Sequence, residues 1–232
     1  MISCSFVPDG FWYSYIVPVP KLKEHHSKSL TCDDFRAIAI SPILSEVFEH
    51  CIIERYQSFL VSSDNQFGFK KGVGCSFAIR TVRSIVDYYV TNGSTVNLCA
   101  IDVSKAFDRV NNFALLNKLM KRLIPVKLLS LLENWLLNCH SCIKWESCFW
   151  QFFKLEFGVR QGSVLSPLLF AVHIDDLAKS CDCTRGVYLV LYADDILLLS
   201  PSVTELQTML HNCERELEAL DLVINVKKSC CL

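Results

Sequence analysis

Tyr192-Ala193-Asp194-Asp195 sets two adjacent carboxylates between apolar runs at 186–191 and 196–199. Two short apolar runs broken by a polar pair spell a tight β-hairpin whose arms pack in a core. Adjacent aspartates repel one another, and no basic residue flanks them in the sequence. A hard, oxygen-seeking divalent cation is the natural neutraliser, so the pair predicts metal-assisted chemistry. A third carboxylate, Asp102, ends an apolar strand predicted at 96–101. If that strand neighbours the hairpin, three carboxylates could hold two Mg2+ ions about 3.5–4 Å apart, an arrangement suited to in-line phosphoryl displacement. One ion would lower the pKa of an attacking hydroxyl while the other steadies the leaving group. Taken alone, an Asp at a strand end is usually a cap or a surface residue.

The elements that must position these groups follow from periodicity. Pro42 opens a helix with apolar residues at Ile43, Leu44, Val47, Phe48, Cys51, Ile52 and Ile53, near a 3.6-residue repeat. A second helix covers 76–90 and closes at Asn92-Gly93. Helices are expected at 113–122 and 126–138, parted by Pro125, then strands at 141–145 and 149–157. A helix runs from Ser166-Pro167 to about 178, another from 203 to 220, and a last strand occupies 222–226. Residues 1–21 read as extended, proline-marked chain, 24–34 as a polar loop and 65–74 as a glycine-rich loop. Helices first and a mixture later is an α+β order, not a regular βαβ repeat.

Composition narrows the class. A hydrophobic fraction of 51% against 20% charged commits the 232 residues to a packed core and excludes a disordered chain. The net charge of −1 leaves no global footprint of nucleic-acid binding. Residues 91–180 are mildly basic, with ten basic against seven acidic side chains, which a polyanion path or a solvated face explains equally. Thirteen scattered cysteines, with no secretory leader in 1–16, read as mostly buried, reduced thiols of an intracellular protein, cytoplasmic or nuclear and not secreted. Cys181/Cys183 and Cys230/Cys231 have the wrong spacing for a zinc knuckle, and His25-His26 lack a partner at ligand spacing. No apolar run reaches the roughly 18 residues that span a bilayer, so no membrane is expected as a partner.

Three ordered segments resemble successive motifs of the reverse transcriptase palm, in the variant of non-LTR (LINE-like) retrotransposons. They are Asp102-Val103-Ser104-Lys105-Ala106-Phe107-Asp108, Gly158-Val159-Arg160-Gln161-Gly162-Ser163-Val164-Leu165-Ser166-Pro167 and Tyr192-Ala193-Asp194-Asp195. Upstream, Ile16-Val17-Pro18-Val19-Pro20-Lys21, Phe35-Arg36-Ala37-Ile38 and Asn65-Gln66-Phe67-Gly68-Phe69 are similar to the family's fingers segments. The likeness covers about 16–229. It implies an α+β fingers-and-palm fold with an antiparallel palm sheet packed on helices. It also implies an extended segment at 1–15, a fingers-like part at 16–95 and a palm-like part at 96–232 with fingers-linked insertions. The function implied is RNA-directed DNA synthesis, using Mg2+ (two ions, Mn2+ as a possible substitute), deoxynucleoside triphosphates, an RNA template and a DNA primer.

The resemblance also distributes roles. Asp102, Asp194 and Asp195 would be the catalytic metal ligands, joined by the Val103 backbone, and Lys228 or its neighbour Lys227 would protonate the leaving pyrophosphate. Arg36, Lys105, Ala106, Phe107 and Gln161 would meet the incoming nucleotide. Phe107 stands where the family crowds the sugar 2′ position, excluding ribonucleotides by bulk; core packing is the other reading of that ring. Lys70, Lys71, Gly162, Ser166, Pro167 and Tyr192 would lie along template and primer, where charge and a conforming loop suit a phosphate backbone. Arg36 could equally serve a surface ion pair with Asp33 or Asp34.

The chain departs from the family pattern at Ala37, where proline is usual, and at 72–76, which lacks an arginine often found there. A thumb after 229 and an endonuclease region before 16 are expected to be absent, so a truncated domain of a longer element is the expectation. The alternatives are an inactive remnant that binds RNA without turnover, or a metal-dependent nuclease in which Phe107 and Gln161 would have no task.

Overall fold

The computed structural model describes residues 1–21, 30–180 and 186–232. Most of the predicted polar loop at 24–34, together with His25-His26 and Cys181/Cys183, lies outside the described residues. In chain order, a short helix α1 (Asp9–Trp12) leads into β1 (Tyr13–Pro20), β2 (Phe35–Ile40) and α2 (Ile43–Leu60). Then come α3 (Cys75–Thr91), β3 (Asn97–Ser104), α4 (Asn112–Lys121), α5 (Val126–Leu137) and β4 (His140–Trp145). Two short strands follow, β5 (Cys148–Phe149) and β6 (Phe153–Lys154), then α6 (Ser166–Lys179). The chain closes with β7 (Tyr188–Tyr192), β8 (Asp195–Ser200), α7 (Val203–Ala219), β9 (Val223–Ile224) and β10 (Cys230–Cys231). The mixture of helices and two separate sheets is the expected α+β fold.

The described chain divides into two compact units, each made of two stretches: Met1–Phe59 with Leu116–Ser166, and Leu60–Leu115 with Pro167–Leu232. In the first unit the strand order is β2-β1-β4-β5, with β6 also on β4. β1 runs antiparallel to β2 and parallel to β4. Its pairing with β4 stops at Ile16, so Pro18 and Pro20 fall where β1 has a partner on one side only. A residue without an N–H is tolerated there. α5 buries Leu128, Leu131, Leu132 and Trp135, one face of a 3.6-residue repeat. Trp135 donates its indole N–H to the Phe11 carbonyl at 3.2 Å and stacks on Phe48.

α2 forms where Pro42 predicts it, but its buried face is not the apolar one. Ser45, Glu49 and Ile52 point inward, whereas Ile43 and Leu44 are 78% and 73% exposed. The polar stripe turns inward because Glu49 has partners there, described below.

In the second unit an antiparallel sheet has the order β10-β3-β8-β7, with β9 also on β3. β3 alternates: Cys99, Ile101 and Val103 are buried on one face, which leaves Leu98, Ala100 and Asp102 on the other. α7 packs against β3 and β8 with Leu206, Met209, Cys213 and Leu217 buried, and Ser202 caps its first turn by accepting from the Glu205 N–H. α3 covers the other face, Ala78, Val82, Ile85 and Val86 meeting Val190, Leu199 and Leu98.

Several predicted elements change. The strand expected at 149–157 is only the pair β5 and β6, and the last strand shrinks to two residues while β10 appears beyond it. Residues 2–4 and 9–12 are helical turns, not extended chain. Exposed thiols outnumber buried ones among the described cysteines: Cys4, Cys32, Cys51, Cys75, Cys148, Cys230 and Cys231 reach solvent, against Cys99, Cys139, Cys142 and Cys213. Several of the exposed group sit on the outward side of helices or on the two-residue strands β5 and β10, where a small apolar side chain has no core to enter. Cys99 is the contrast. Burial, and then the neighbouring Cys231 Sγ at 2.9 Å, push its thiol up to about 12.

Candidate active site

The register of β3 on β8 sets Asp102 directly across from Asp195. Directly opposed residues share a face of the sheet, so both side chains leave on the same side. Tyr192 pairs with Asp195 to close the hairpin, leaving Ala193 and Asp194 as a two-residue loop. Ala193 has φ +58, a left-handed conformation that non-glycine residues adopt at a cost. Asp102 and Asp195 are therefore side by side at the end of the hairpin, with Asp194 next to them in the loop.

Their electrostatics show it. The Asp195 carboxyl is raised above the ordinary carboxylate range by partial burial first, then by the charges of Asp194 and Asp102, while Lys228 pulls it down. Asp195 keeps solvent access, so water weakens the burial part and the two neighbouring carboxylates are the firmer cause. A carboxyl raised in the fold makes its charged form a cost that is present above its folded pKa and disappears as pH falls through it. Asp195→Asn in metal-free protein should therefore match or exceed the wild-type melting temperature at pH 7. The difference should shrink on acidification, as measured by calorimetry.

No basic residue flanks the pair in sequence, but one reaches Asp102 in the fold. Lys228 Nζ lies 3.6 Å from Asp102 Oδ2. A turn holds it there: the Asn225 N–H donates to the Asp102 carbonyl at 2.8 Å, and the Asp102 N–H donates to Ser229 Oγ at 3.1 Å. Both backbone groups of Asp102 are thus tied to the segment that carries Lys228.

Among the described residues, no three His, Cys, Asp or Glu side chains stand gathered as a finished metal centre. Asp102 and Asp195 are opposed in the strand register, and the three side chains do not form a preformed cage. Asp102 is ion-paired with Lys228. The donor set still fits a divalent cation: hard oxygens, three negative charges and one opposing ammonium. Val103 buries its side chain on the opposite face, so only its backbone could take part.

The remaining candidates of this unit lie on several elements. Lys105 is left-handed at φ +50 and Ala106 is right-handed helical, consecutive conformations that make backbone N–H groups converge into an anion nest. Phe107 is half-buried, stacked on Phe170 at 4.7 Å and edge-on to Phe69 at 6.0 Å. Tyr192 packs under α3 and, with Asp195, lines a cavity of about 430 Å³ whose other walls are mainly apolar. Lys70 donates to the Ser63 carbonyl at 2.6 Å and is partly buried, while Lys71 is exposed. Pro167 belongs to this unit too.

Arg36, Gln161, Gly162 and Ser166 belong to the other unit. Arg36 is exposed on β2, and Ser166 is buried at the start of α6. The Ala39 N–H donates to the Gln161 carbonyl at 2.6 Å. Gly162, at φ +123, lies so close to β2 that a Cβ would sit 2.3 Å from the Ala39 carbonyl oxygen. Glycine is obligatory there.

Three residues escape sequence reasoning. Glu49, 1% exposed, accepts from Ser163 Oγ at 2.6 Å and from the Leu165 N–H at 2.8 Å, with Arg160 3.9 Å away. Arg160 in turn lies over the Trp135 ring. Gln66, also 1% exposed, bonds the hairpin loop at Ala193. For Glu49 the only sequence signal is a charged side chain amid an apolar repeat, whereas Arg160 and Gln66 stand inside segments that resemble the family's motifs.

The chain matches a family model described as "Reverse transcriptase (RNA-dependent DNA polymerase)" over residues 19–232. It is 29% identical over 178 residues to a probable RNA-directed DNA polymerase from transposon BS of Drosophila melanogaster, covering 73% of this chain and 20% of that protein. It is 27% identical over 185 residues to the RNA-directed DNA polymerase from mobile element jockey of Drosophila funebris, covering 75% and 20%. The chain thus spans about a fifth of these curated relatives. Among solved structures, apo telomerase from Candida tropicalis superposes with a TM-score of 0.66 at 13% identity, covering 96% of this chain and 44% of that one. Telomerase from Candida tropicalis with a telomeric RNA fragment gives 0.68 at 14%, covering 97% and 41%. At such identities the likeness shows a shared fold alone. On its family match, the chain belongs to the reverse transcriptase (RNA-dependent DNA polymerase) family.

Proposed function

We propose that the chain is the fingers-and-palm portion of an RNA-directed DNA polymerase, joining a deoxynucleoside triphosphate to a primer 3′-OH on an RNA template. The observation that carries this is the opposition of Asp102 and Asp195 beside the loop that bears Asp194. Asp102, Asp194 and Asp195 would hold two Mg2+ ions, with Mn2+ as a substitute. When bound, the ions activate the primer hydroxyl and neutralise charge on the phosphates.

The chain's own residues do the rest. The nest at Lys105 and Ala106 presents N–H groups to the triphosphate, and exposed Arg36 adds a charge-assisted contact. Gln161, its backbone fixed to β2, orients the sugar. Lys228 keeps a proton at Nζ beside Asp102 and delivers it to the departing pyrophosphate. Lys71, Gly162, Ser166, Pro167 and Tyr192 lie along template and primer, with Lys70 shaping the loop. The fingers role falls to 16–95 and the palm role to 96–232 with its fingers-linked insertions. The exposed free thiols support an intracellular setting, cytoplasmic or nuclear.

Phe107 would exclude a 2′-OH, and its stacking on Phe170 and Phe69 supports this because it keeps the ring from swinging aside. Phe107→Ala should lower the preference for deoxy- over ribonucleotides by roughly 10²-fold in kcat/KM. Single-nucleotide incorporation measures it.

The decisive experiment is primer extension on an RNA template with Mg2+. Incorporation by wild type that vanishes in Asp194→Asn supports the proposal. Wild-type protein that binds RNA with salt-dependent affinity yet incorporates nothing would identify a non-enzymatic RNA-binding fold instead.

A further inference from the structure

The hairpin that carries Asp194 has an unsuitable turn residue. In a two-residue hairpin loop with positive φ at the first position alone, glycine is the preferred occupant, yet that position is Ala193. Local sequence therefore does not fix the direction of this turn. Something outside it must.

Gln66 meets that need. Its carbonyl Oε1 accepts from the Ala193 N–H at 3.1 Å and from the Gly68 N–H at 2.8 Å, and its Nε2 donates to the Ala193 carbonyl at 3.2 Å. Both backbone groups of one loop residue are held by a single amide. The chain around Gln66 runs parallel to the end of β7: Phe67 N–H donates to the Leu191 carbonyl and Leu191 N–H to the Asn65 carbonyl, each at 2.8 Å. A Cβ on Gly68 would sit 2.4 Å from the Ala193 nitrogen, so the segment touches the turn itself.

We propose that Gln66 is a positioning residue for the reaction: its buried amide, backed by Gly68, sets the direction in which Asp194 and Asp195 leave the hairpin. The inference rests on the polymerase reading for its consequence, not for its geometry. An ordinary packing residue would need neither the paired donor and acceptor nor the close glycine. An amide satisfies an N–H and a C=O together, whereas a carboxylate satisfies only the N–H.

Gln66→Met keeps length and apolar bulk while deleting all three bonds, and Gln66→Glu keeps the acceptor alone. Gly68→Ala pushes on the Ala193 nitrogen without touching the amide. Mn2+ titration followed by electron paramagnetic resonance should show apparent affinity falling at least about 10-fold in Gln66→Met and Gly68→Ala, the size of an orienting-shell loss. In primer extension kcat should fall by roughly 10²-fold with KM for the nucleotide changed less than threefold, since the nucleotide contacts proposed at Arg36 and Gln161 are untouched. Gln66→Glu should retain more of both than Gln66→Met. Hydrogen exchange at the Ala193 amide reads the geometry without metal or substrate and should quicken at least tenfold in Gln66→Met. A Gln66→Met protein with wild-type exchange at Ala193 overturns the proposal, as does wild-type Mn2+ affinity and kcat in a variant whose exchange has quickened. If wild type neither incorporates nucleotides nor binds Mn2+, the polymerase reading has failed, and the exchange rate alone then decides whether Gln66 directs the turn.

Discussion

Asp102→Asn will cut nucleotide incorporation by at least roughly 10³-fold while the protein still folds. The loss is large because this position supplies one of three carboxylates at the strand crossing. The substitution keeps the shape, the two backbone bonds to Asn225 and Ser229, and the register opposite Asp195. What it removes is one negative charge. Its ion pair with Lys228 is long at 3.6 Å and open to solvent on the Lys228 side, so breaking it costs about 1 kcal/mol and cannot account for a collapse in activity. A parallel circular-dichroism melt separates the effects: an unchanged transition with lost incorporation supports the assignment. Retention of a tenth or more of wild-type activity would remove Asp102 from the metal-binding set.

Glu49→Ala should act oppositely, on folding before chemistry. The carboxylate and Arg160 are both buried, and removing one partner strands the other charge, along with the Ser163 hydroxyl and the Leu165 N–H. Breaking a buried pair in this way costs about 3–5 kcal/mol. For a chain of this size that lowers the melting temperature by about 6–20 °C. Glu49→Gln should fall between, since its amide oxygen still accepts from Ser163 and Leu165 but leaves Arg160 uncompensated. Thermal melts of the three proteins give the order. A Glu49→Ala melt within about 2 °C of wild type would show that the network carries little stability.

Most of the framework was legible from residue order. The β7–β8 hairpin, α3 with its Gly93 stop, α5 after Pro125 and α7 behind Ser202 each follow from a local signal: a period, a cap or a breaker. The weak predictions lie where local signals conflict with partners. Residues 149–157 are rich in aromatics and read as one strand, yet only two short pieces find a ladder on β4. In α2 the start of the apolar repeat, Ile43, Leu44 and Val47, points outward because Glu49 has hydrogen-bond partners inward, and a buried carboxylate outweighs the gain from burying Ile43 or Leu44. No pattern within the helix encodes that. Compact units built from separate stretches, and β10 pairing back on β3, are likewise invisible to a reading that moves along the chain.

Residue types and spacing were enough to single out the carboxylates, and the ordered motifs carried the family resemblance, since both are written in local sequence. Tertiary structure alone showed how their surroundings are held. Lys228 reaches Asp102 from 126 positions away in sequence, by the closing of a turn on β3. Gln66 steadies Ala193 across a gap of |i−j| = 127. Charge and hydrogen bonding act through distance in space, and only the folded backbone converts distance along the chain into that.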